Sequence, residues 1–385
     1  MHLPNYRDGS IVNLMSTILN AGGVRTRYKP LRILDPAALR EATNIVLVVI
    51  DGLGYEFLKR HGCGTVLHKH WLGRITSVFP SATATGITTF ATGAAPQQHA
   101  ITGWFMFLKE LGTVVRILPF NPRYGGAPLD TTGIAPDSFI GHDTVFQQIS
   151  AENYCLAPSY LSGSAYTRAT SRGASMVSYD SLTDCFTKIA GIAGSNQERK
   201  FIYAYWAEFD SLAHDFGTES APVQAHLKEI DRAVEAFADS IQGSCTTVLI
   251  TSDHGLVNTK ESDRINLREH PELGATLTLP LCGEPRVAYC YVHPSRTARF
   301  RQYVRTRLAD YCDLYDSRDL IKENFFGLYE PSVKLPDRIG DYALIMKENF
   351  VIRDFMEGEN EHFLSANHGG VSSKEMYVPL IRMVC

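Results

Sequence analysis

Six residues of the types that bind metal ions lie in four separated stretches of the chain, each beside an apolar run or a loop of small residues. They are Asp51, the pair Asp210 and His214, the pair Asp253 and His254, and His368. Carboxylate oxygens and imidazole nitrogens bind divalent cations, and three of each could serve two ions. The turn Phe79-Pro80-Ser81-Ala82-Thr83 supplies hydroxyl groups that could act as a nucleophile. The pattern indicates metal-assisted phosphoryl chemistry.

Each motif taken alone also has a plainer interpretation. Asp210 and His214 are four residues apart, so a helix would place them on one face, but such pairs are common among solvated residues. The sequence Asp253-His254-Gly255 could form a simple Asx turn at the end of a strand. His368, followed by two glycines, could be an ordinary turn histidine. The metal hypothesis rests on the motifs occurring together.

Thr83 is the candidate nucleophile. It lies in a stretch of small and hydroxylated residues that is typical of a loop running into a helix, whose first N–H groups would face a bound phosphate. A threonine hydroxyl is a weak nucleophile at neutral pH, and a neighbouring dication would favour its alkoxide. The nearby Thr85, Thr88 and Thr89 are predicted to be capping and packing residues.

Buried strands are expected directly before the candidate ligands. The segments 44–50, 201–206 and 246–251 are continuous apolar or aromatic runs, typical of strands covered on both faces of a parallel sheet. Apolar residues with helical spacing lie between the last two runs: Leu227, Ile230, Val234, Phe237 and Ile241. Open α/β sheets bind substrates at the carboxyl ends of their strands, which is where the acids lie. We predict an α/β fold.

Composition restricts the location and the partners. The 385 residues are 44% hydrophobic and carry a net charge of −4, which gives no basic field for a polymeric nucleic acid. The start of the chain lacks a signal peptide pattern, and the apolar run 45–50 is far shorter than the roughly 20 residues of a membrane span. Eight cysteines without C-x-x-C spacing are expected to be reduced. We predict a cytoplasmic protein without a membrane span.

Two regions differ from the predicted core. Residues 256–350 contain scattered Pro and Gly and an arginine-rich helix at 296–311, so we predict an inserted cap there. The catalytic domain would then comprise residues 1–255 and 351–385. A second irregular stretch, 105–143, could fold over the same edge and help to shape a pocket.

In their order along the chain, the motifs D-G, F-P-S-x-T, D-x-x-x-H, D-H-G and H-G-G resemble the alkaline phosphatase superfamily, and within it the type I phosphodiesterase/nucleotide pyrophosphatase family. The resemblance covers about 45–104, 201–214, 248–255 and 365–380. It implies an alkaline-phosphatase-like three-layer fold with a mostly parallel central sheet and a smaller inserted cap.

The resemblance also implies roles for the candidate residues. One metal ion would be held by Asp210, His214 and His368. The other would be held by Asp51, Asp253, His254 and the oxygen of Thr83. Zinc is implied at both positions, and the same mixed ligands also suit Mn²⁺. Thr83 would form a covalent intermediate.

Some positions depart from the family pattern. Gly86 stands where nucleotide pyrophosphatases have an asparagine three residues after the nucleophile, and Trp104 stands where a second asparagine binds phosphate. These differences bear on nucleotide specificity more than on hydrolysis. Trp104 and Phe105 could stack on a base or line an apolar pocket, although aromatic residues after a turn are commonly core residues.

We therefore predict a hydrolase that cleaves phosphodiester or pyrophosphate bonds of a small molecule. Sulfatases are disfavoured because no C/S-x-P-x-R motif surrounds a cysteine, and phosphoglycerate mutases because their nucleophilic serine has different flanking residues. One alternative is a phosphomonoesterase or phosphonate hydrolase on the same metal pair. Another is a noncatalytic binding protein that presents arginines to an acidic partner, namely Arg296, Arg299, Arg301, Arg305 and Arg307. The sequence leaves the oligomeric state open.

Overall fold

The computed structural model describes residues 1–359 and 361–385. In chain order, the strands are β1 (Asn44–Ile50), β2 (Trp71–Thr76), β3 (Phe105–Leu108), β4 (Thr113–Arg116), β5 (Asn121–Pro122), β6 (Glu152–Pro158), β7 (Ser175–Tyr179), β8 (Lys200–Trp206), β9 (Thr246–Thr251), β10 (Val257–Asn258), β11 (Arg264–Asn266), β12 (Cys282–Glu284), β13 (Val287–Cys290), β14 (Cys312–Asp316), β15 (Tyr342–Met346), β16 (Val351–Arg353), β17 (Ala366–Asn367) and β18 (Tyr377–Val384).

The α-helices are α1 (Ile11–Ala21), α2 (Ala37–Arg40), α3 (Tyr55–His61), α4 (Val66–Lys69), α5 (Thr83–Thr92), α6 (Pro96–His99), α7 (Asp137–Ile140), α8 (Val145–Gln148), α9 (Ser159–Ser162), α10 (Ala165–Thr170), α11 (Leu182–Ala193), α12 (Glu208–Phe216), α13 (Ala221–Ser240), α14 (Pro271–Gly274), α15 (Thr297–Tyr303), α16 (Ser317–Lys322), α17 (Leu335–Arg338) and α18 (Ser373–Met376). Short 3-10 turns lie at Leu129–Thr132, Glu261–Asp263, Leu267–Glu269 and Pro294–Arg296, and a π-helical turn lies at Val304–Leu308.

The central sheet has seven strands in the order β2-β18-β9-β1-β8-β6-β7. Its five strands from β9 to β7 run parallel, while β18 is antiparallel to both β2 and β9. Every residue of β1, β8 and β9 is buried, as expected of parallel strands covered on both faces. The predicted mostly parallel sheet is confirmed.

Helices cover both faces of this sheet and make three layers. Val46, Val48 and Ile50 of β1 pack with α11, α12 and α13 on one face. Ile45, Leu47 and Val49 point to the other face and pack with α1 and α5. The apolar stripe predicted from the sequence lies on α13 and at its end, and all five of its residues are buried. The predicted three-layer α/β fold is confirmed.

A second sheet of seven antiparallel strands has the order β14-β15-β13-β12-β3-β4-β5. Four of its strands come from the range 256–350, and three come from the irregular stretch that follows Trp104. This sheet therefore joins two distant segments of the chain. The boundaries of a separate cap at 256–350 stay a prediction.

Two further features concern the location and the arginine-rich helix. Within residues 1–359 and 361–385, no helix is both long and apolar enough to cross a bilayer. All eight cysteines are free thiols. The cytoplasmic location stays a prediction. The five arginines between 296 and 307 are exposed. Arg296 ends a 3-10 turn, and the other four lie on the helical segment formed by α15 and the π-helical turn.

A buried ion pair fastens the second sheet to the loop that carries His368. Arg286, in the turn between β12 and β13, donates from Nε and Nη2 to the two carboxylate oxygens of Glu375, at 3.0 Å each. Both side chains are almost completely buried. Glu375 also accepts the N–H of Gly370 at 2.8 Å, so the pair fixes the glycines directly after His368.

We expect Arg286→Met to destabilise the protein by about 3–5 kcal/mol, because it leaves the buried Glu375 carboxylate without its partner. Urea unfolding measures the loss. The matched control is Arg299→Met, which breaks an exposed 3.4 Å pair with Glu272 and should cost less than about 1 kcal/mol. Equal unfolding midpoints for the two variants would contradict a structural role for the buried pair.

Candidate active site

The candidate ligands lie at one edge of the central sheet, where its parallel strands end. Asp51 follows β1 directly, and Asp253 comes two residues after β9. Asp210 and His214 lie on α12, which begins two residues after β8. Because β8, β1 and β9 are neighbours with their carboxyl ends together, these side chains converge.

His368 completes the cluster from a distant part of the chain. It follows β17, a short strand that pairs with β10. Its ring stacks on that of His254 with centroids 3.9 Å apart, and the ring centroid of His214 lies 5.3 Å away. All six predicted ligands therefore lie together.

Two groups of side chains offer ligand atoms that lie within 4.8 Å of one another. One group is Asp51, Asp253 and His254, and the other is Asp210, His254 and His368. His214 adjoins the second group, because its Nε2 atom lies 3.1 Å from an oxygen of Asp210. The grouping differs from the expected division in one respect: His254 lies within reach of both clusters.

Several ligand atoms are free to bind a cation. Oδ1 of Asp210, Oδ2 of Asp253 and Nδ1 of His368 are buried and have no hydrogen-bond partner among the described residues. Buried polar atoms without partners are unfavourable unless another group compensates them. Carboxylate oxygens and imidazole nitrogens are donors that zinc or manganese accepts. The residues present therefore fit a pair of divalent cations.

The histidines are oriented by backbone carbonyls. Nδ1 of His214 donates to the carbonyl of Ala366 at 2.7 Å, and Nδ1 of His254 donates to that of Gly255 at 3.1 Å. Each bond places a proton on Nδ1 and directs Nε2 toward the cluster. Such bonds typically orient the histidines of metal sites.

The carboxylates are held in a similar way. One oxygen of Asp253 accepts the N–H groups of His254, at 3.0 Å, and Gly52, at 3.3 Å, and its second oxygen is free. The hydroxyl of Tyr205, on β8, donates to Asp51. Each acid therefore has one oxygen fixed by the protein.

The close approach of the buried acids shifts their pKa values and that of His214. Burial, followed by repulsion from Asp210, raises the pKa of Asp51, and burial with repulsion from Asp51 raises that of Asp253. Burial would raise the pKa of Asp210 as well, but His214 outweighs it and the pKa is lowered. Burial alone would lower the pKa of His214, yet Asp210 raises it to about 9. The cluster is a site where positive charge is favourable.

Thr83 is the first residue of α5, and its Oγ1 lies 3.0 Å from Nε2 of His254. Gly86, one turn later, lets this helix approach β9 closely. A Cβ atom at Gly86 would lie 2.7 Å from the Cβ of Asp253. The glycine that departs from the expected asparagine therefore has a packing reason, since a larger side chain would displace Asp253 or the helix that begins at Thr83.

A cavity of about 720 Å³ opens beside Thr83. Trp104 and Phe105 line it, together with apolar and aromatic residues from α5, β6, α10 and β8. Glu284, on β12, also lines it and accepts the N–H of Trp104 at 2.7 Å. Burial raises the pKa of Glu284 to about 7.

Three residues of the site were missed in the sequence. Tyr205 lies inside a buried strand, where only a hydroxyl one residue before the end of the strand hints at a polar partner. Glu284 and Arg353 lie in regions without a recognisable motif and reach the cavity only through the second sheet and β16. No local pattern marks them.

The model of the type I phosphodiesterase/nucleotide pyrophosphatase family matches residues 45–370. The chain belongs to this family. The family is metal-dependent, and its members are hydrolases of phosphoesters. The family resemblance predicted from the motifs is confirmed.

The chain is also similar to individual proteins of known sequence or structure. Rat ectonucleotide pyrophosphatase/phosphodiesterase family member 7 is 34% identical over 83 residues, which cover 20% of this chain and 19% of the relative. The match thus spans about a fifth of that relative's length. Murine ectonucleotide pyrophosphatase/phosphodiesterase 5 shares the fold, with a TM-score of 0.67 and 17% identity over 87% of both chains. Phosphonoacetate hydrolase from Sinorhizobium meliloti 1021, solved with phosphonoformate, has a TM-score of 0.64 and 17% identity over 88% of this chain and 89% of its own.

We expect His214→Ala and Asp253→Ala each to weaken metal binding by at least about tenfold, because each removes a ligand or its charge from the cluster. Elemental analysis after dialysis against limiting zinc measures the bound metal. His293→Ala is the matched control, since His293 is exposed and lies outside the cluster. Full metal content in both site variants would contradict the ligand assignment.

Proposed function

We propose that this protein hydrolyses phosphodiester or pyrophosphate bonds of a small molecule, with Thr83 as the nucleophile and two divalent metal ions, most simply zinc, as cofactors. One observation carries the proposal. The Thr83 hydroxyl lies 3.0 Å from His254, the residue that belongs to both groups of candidate ligands.

The ligands would divide between two positions. Asp51, Asp253, His254 and Thr83 would hold one ion, and Asp210, His214 and His368 the other, with His254 between them. Metal ions bound there would neutralise charge on the phosphoryl oxygens and favour the alkoxide of Thr83. This division follows the family resemblance, and His254 lies within reach of both groups of side chains.

The residues of the chain would perform two displacements. The Thr83 hydroxyl loses its proton, and its oxygen attacks phosphorus to form a Thr83–phosphorus bond. The bond between phosphorus and the leaving oxygen breaks, and the leaving oxygen takes up a proton. Water then attacks the phosphothreonine, the bond from phosphorus to Thr83 breaks, and the threonine oxygen regains a proton. Thr83 begins α5, so the free N–H groups in the first turn of this helix would be available to the phosphoryl group, and the helix dipole would favour its negative charge.

The shape of the cavity favours a diester over a monoester. A monoester presents one organic group, whereas the lining beyond Thr83 offers aromatic and apolar surface at Trp104, Phe105, Tyr160 and Leu161. Apolar surface of this kind binds a second organic arm by removing it from water. The phosphonate hydrolase among the structural relatives makes phosphonate cleavage the second candidate, because it shares this fold.

We expect Thr83→Ala to lower kcat for a nitrophenyl thymidine phosphodiester by about 10³-fold or more while metal content stays unchanged, because the nucleophile is removed but the other ligands remain. Thr83→Ser is the matched control and should retain turnover, since it keeps a hydroxyl. Steady-state kinetics with elemental analysis measures both. Wild-type turnover in Thr83→Ala would exclude Thr83 as the nucleophile.

Diester hydrolysis is tested by comparing nitrophenyl thymidine phosphodiester with nitrophenyl phosphate on the metal-loaded enzyme. We expect kcat/KM to be higher for the diester by about tenfold or more, because only its second arm contacts the apolar lining. Phosphonoacetate is the third substrate. A preference for the monoester or for the phosphonate would replace the diester proposal with that alternative.

A further inference from the structure

Arg353 is the one lysine or arginine among the described residues that line the cavity beside Thr83. It ends β16, and the backbone there is fixed because the N–H of Ile352 donates to the carbonyl of Pro285 at 2.9 Å. Three acids also lie on the lining, namely Asp51, Asp210 and Glu284, together with the imidazoles of His214 and His368. A lone guanidinium in an acidic cleft requires an explanation.

Arg353 is half-buried, and the fully buried arginines of this region all have carboxylate partners. Arg123 pairs with Asp354 at 2.7 Å and Glu359 at 2.9 Å, and its guanidinium lies 4.0 Å from the ring centroid of Phe105. Arg286 is bound by Glu375 and Arg338 by Glu110. These side chains are compensated within the fold.

Arg353 has no such compensation. Within the described parts of the chain, no carboxylate oxygen lies within 4.0 Å of it, and its hydrogen bond is a 3.4 Å contact to the carbonyl of His362. Burial lowers its pKa, and the charge of Glu284 opposes this without touching it. A guanidinium keeps its proton at neutral pH, so a charge with unused donors faces the cavity.

Arg353 also borders a second cleft of about 550 Å³. Trp104 and Phe105 line both spaces, as Arg353 does. The acids Asp354 and Glu359 on the second cleft are both engaged by Arg123, and Glu357 is exposed. A substrate reaching from Thr83 past Trp104 would therefore meet the free guanidinium of Arg353.

We propose that Arg353 binds a second anionic group of the substrate, a carboxylate or a phosphate carried on an organic arm of the phosphodiester. The proposal rests on the function proposed above and narrows its substrate class. The planar fork of an arginine matches both anions through two parallel hydrogen bonds, and the cavity supplies the exclusion of water that strengthens them. The residue sets specificity and takes no part in bond breaking.

Matched substrates test this proposal. Three nitrophenyl phosphodiesters would differ only at the end of an alkyl arm, which carries a carboxylate, a phosphate, or the methyl ester of the carboxylate. We expect the wild type to prefer a charged arm over the methyl ester by about tenfold in kcat/KM. The better of the two charged arms identifies the anion.

The variant Arg353→Met should bring that ratio close to one, and Arg353→Lys should retain part of it because it keeps the charge but loses the fork. The matched control Arg305→Met, on the exposed helical segment, should leave the ratio at its wild-type value. A wild type without preference, or an Arg353→Met variant that keeps the full ratio, would overturn the proposal.

Failure of the proposed function gives a different result. If the metal-loaded wild type hydrolyses none of the three esters, the hydrolase proposal fails. Calorimetric binding of the same compounds to wild type and Arg353→Met then decides the role of Arg353. Tighter binding of a charged arm, lost in the variant, supports it, and equal binding of all three overturns it.

Discussion

Mutual repulsion among three buried carboxylates, Asp51, Asp210 and Asp253, is the constraint on which the rest of the structure depends. Burial raises the pKa of two of them, and the third is kept ionised by His214. Such a cluster is stable only where positive charge or hydrogen-bond donors compensate it. The fold provides the donors through Tyr205 and the N–H groups around Asp253, and it leaves the inward oxygens to a cation.

The surrounding elements can be understood as the means of bringing those charges together. Parallel strands β8, β1 and β9 deliver three acids to one edge, and Gly86 lets the helix of Thr83 approach Asp253. The second sheet closes the other side, and the Arg286–Glu375 pair holds the loop of His368 against it. The Arg286–Glu375 ion pair therefore serves both stability and function, because it stabilises the fold and also positions the loop that carries His368.

Much of this arrangement could be predicted because continuous apolar runs define buried strands and the acids follow them directly. The helical stripe of α13 was predictable for the same reason, since a local periodicity records which face is buried. The second sheet was not, because β12 meets β3 through pairing across almost 180 residues, as in Gly283 with Phe105. Tyr205, Glu284 and Arg353 act through similarly distant contacts, which leave no pattern in the neighbouring residues.

The central claim is that buried acids and imidazoles at the sheet edge hold two cations beside Thr83. Anomalous diffraction from crystals of the zinc-loaded protein, collected on both sides of the zinc absorption edge, tests it most directly. The account predicts two zinc peaks, one within about 2.0–2.3 Å of ligand atoms from Asp51, Asp253 and His254, and the other from Asp210, His214 and His368. A map without zinc at this edge of the sheet, in crystals grown with saturating metal, would contradict it.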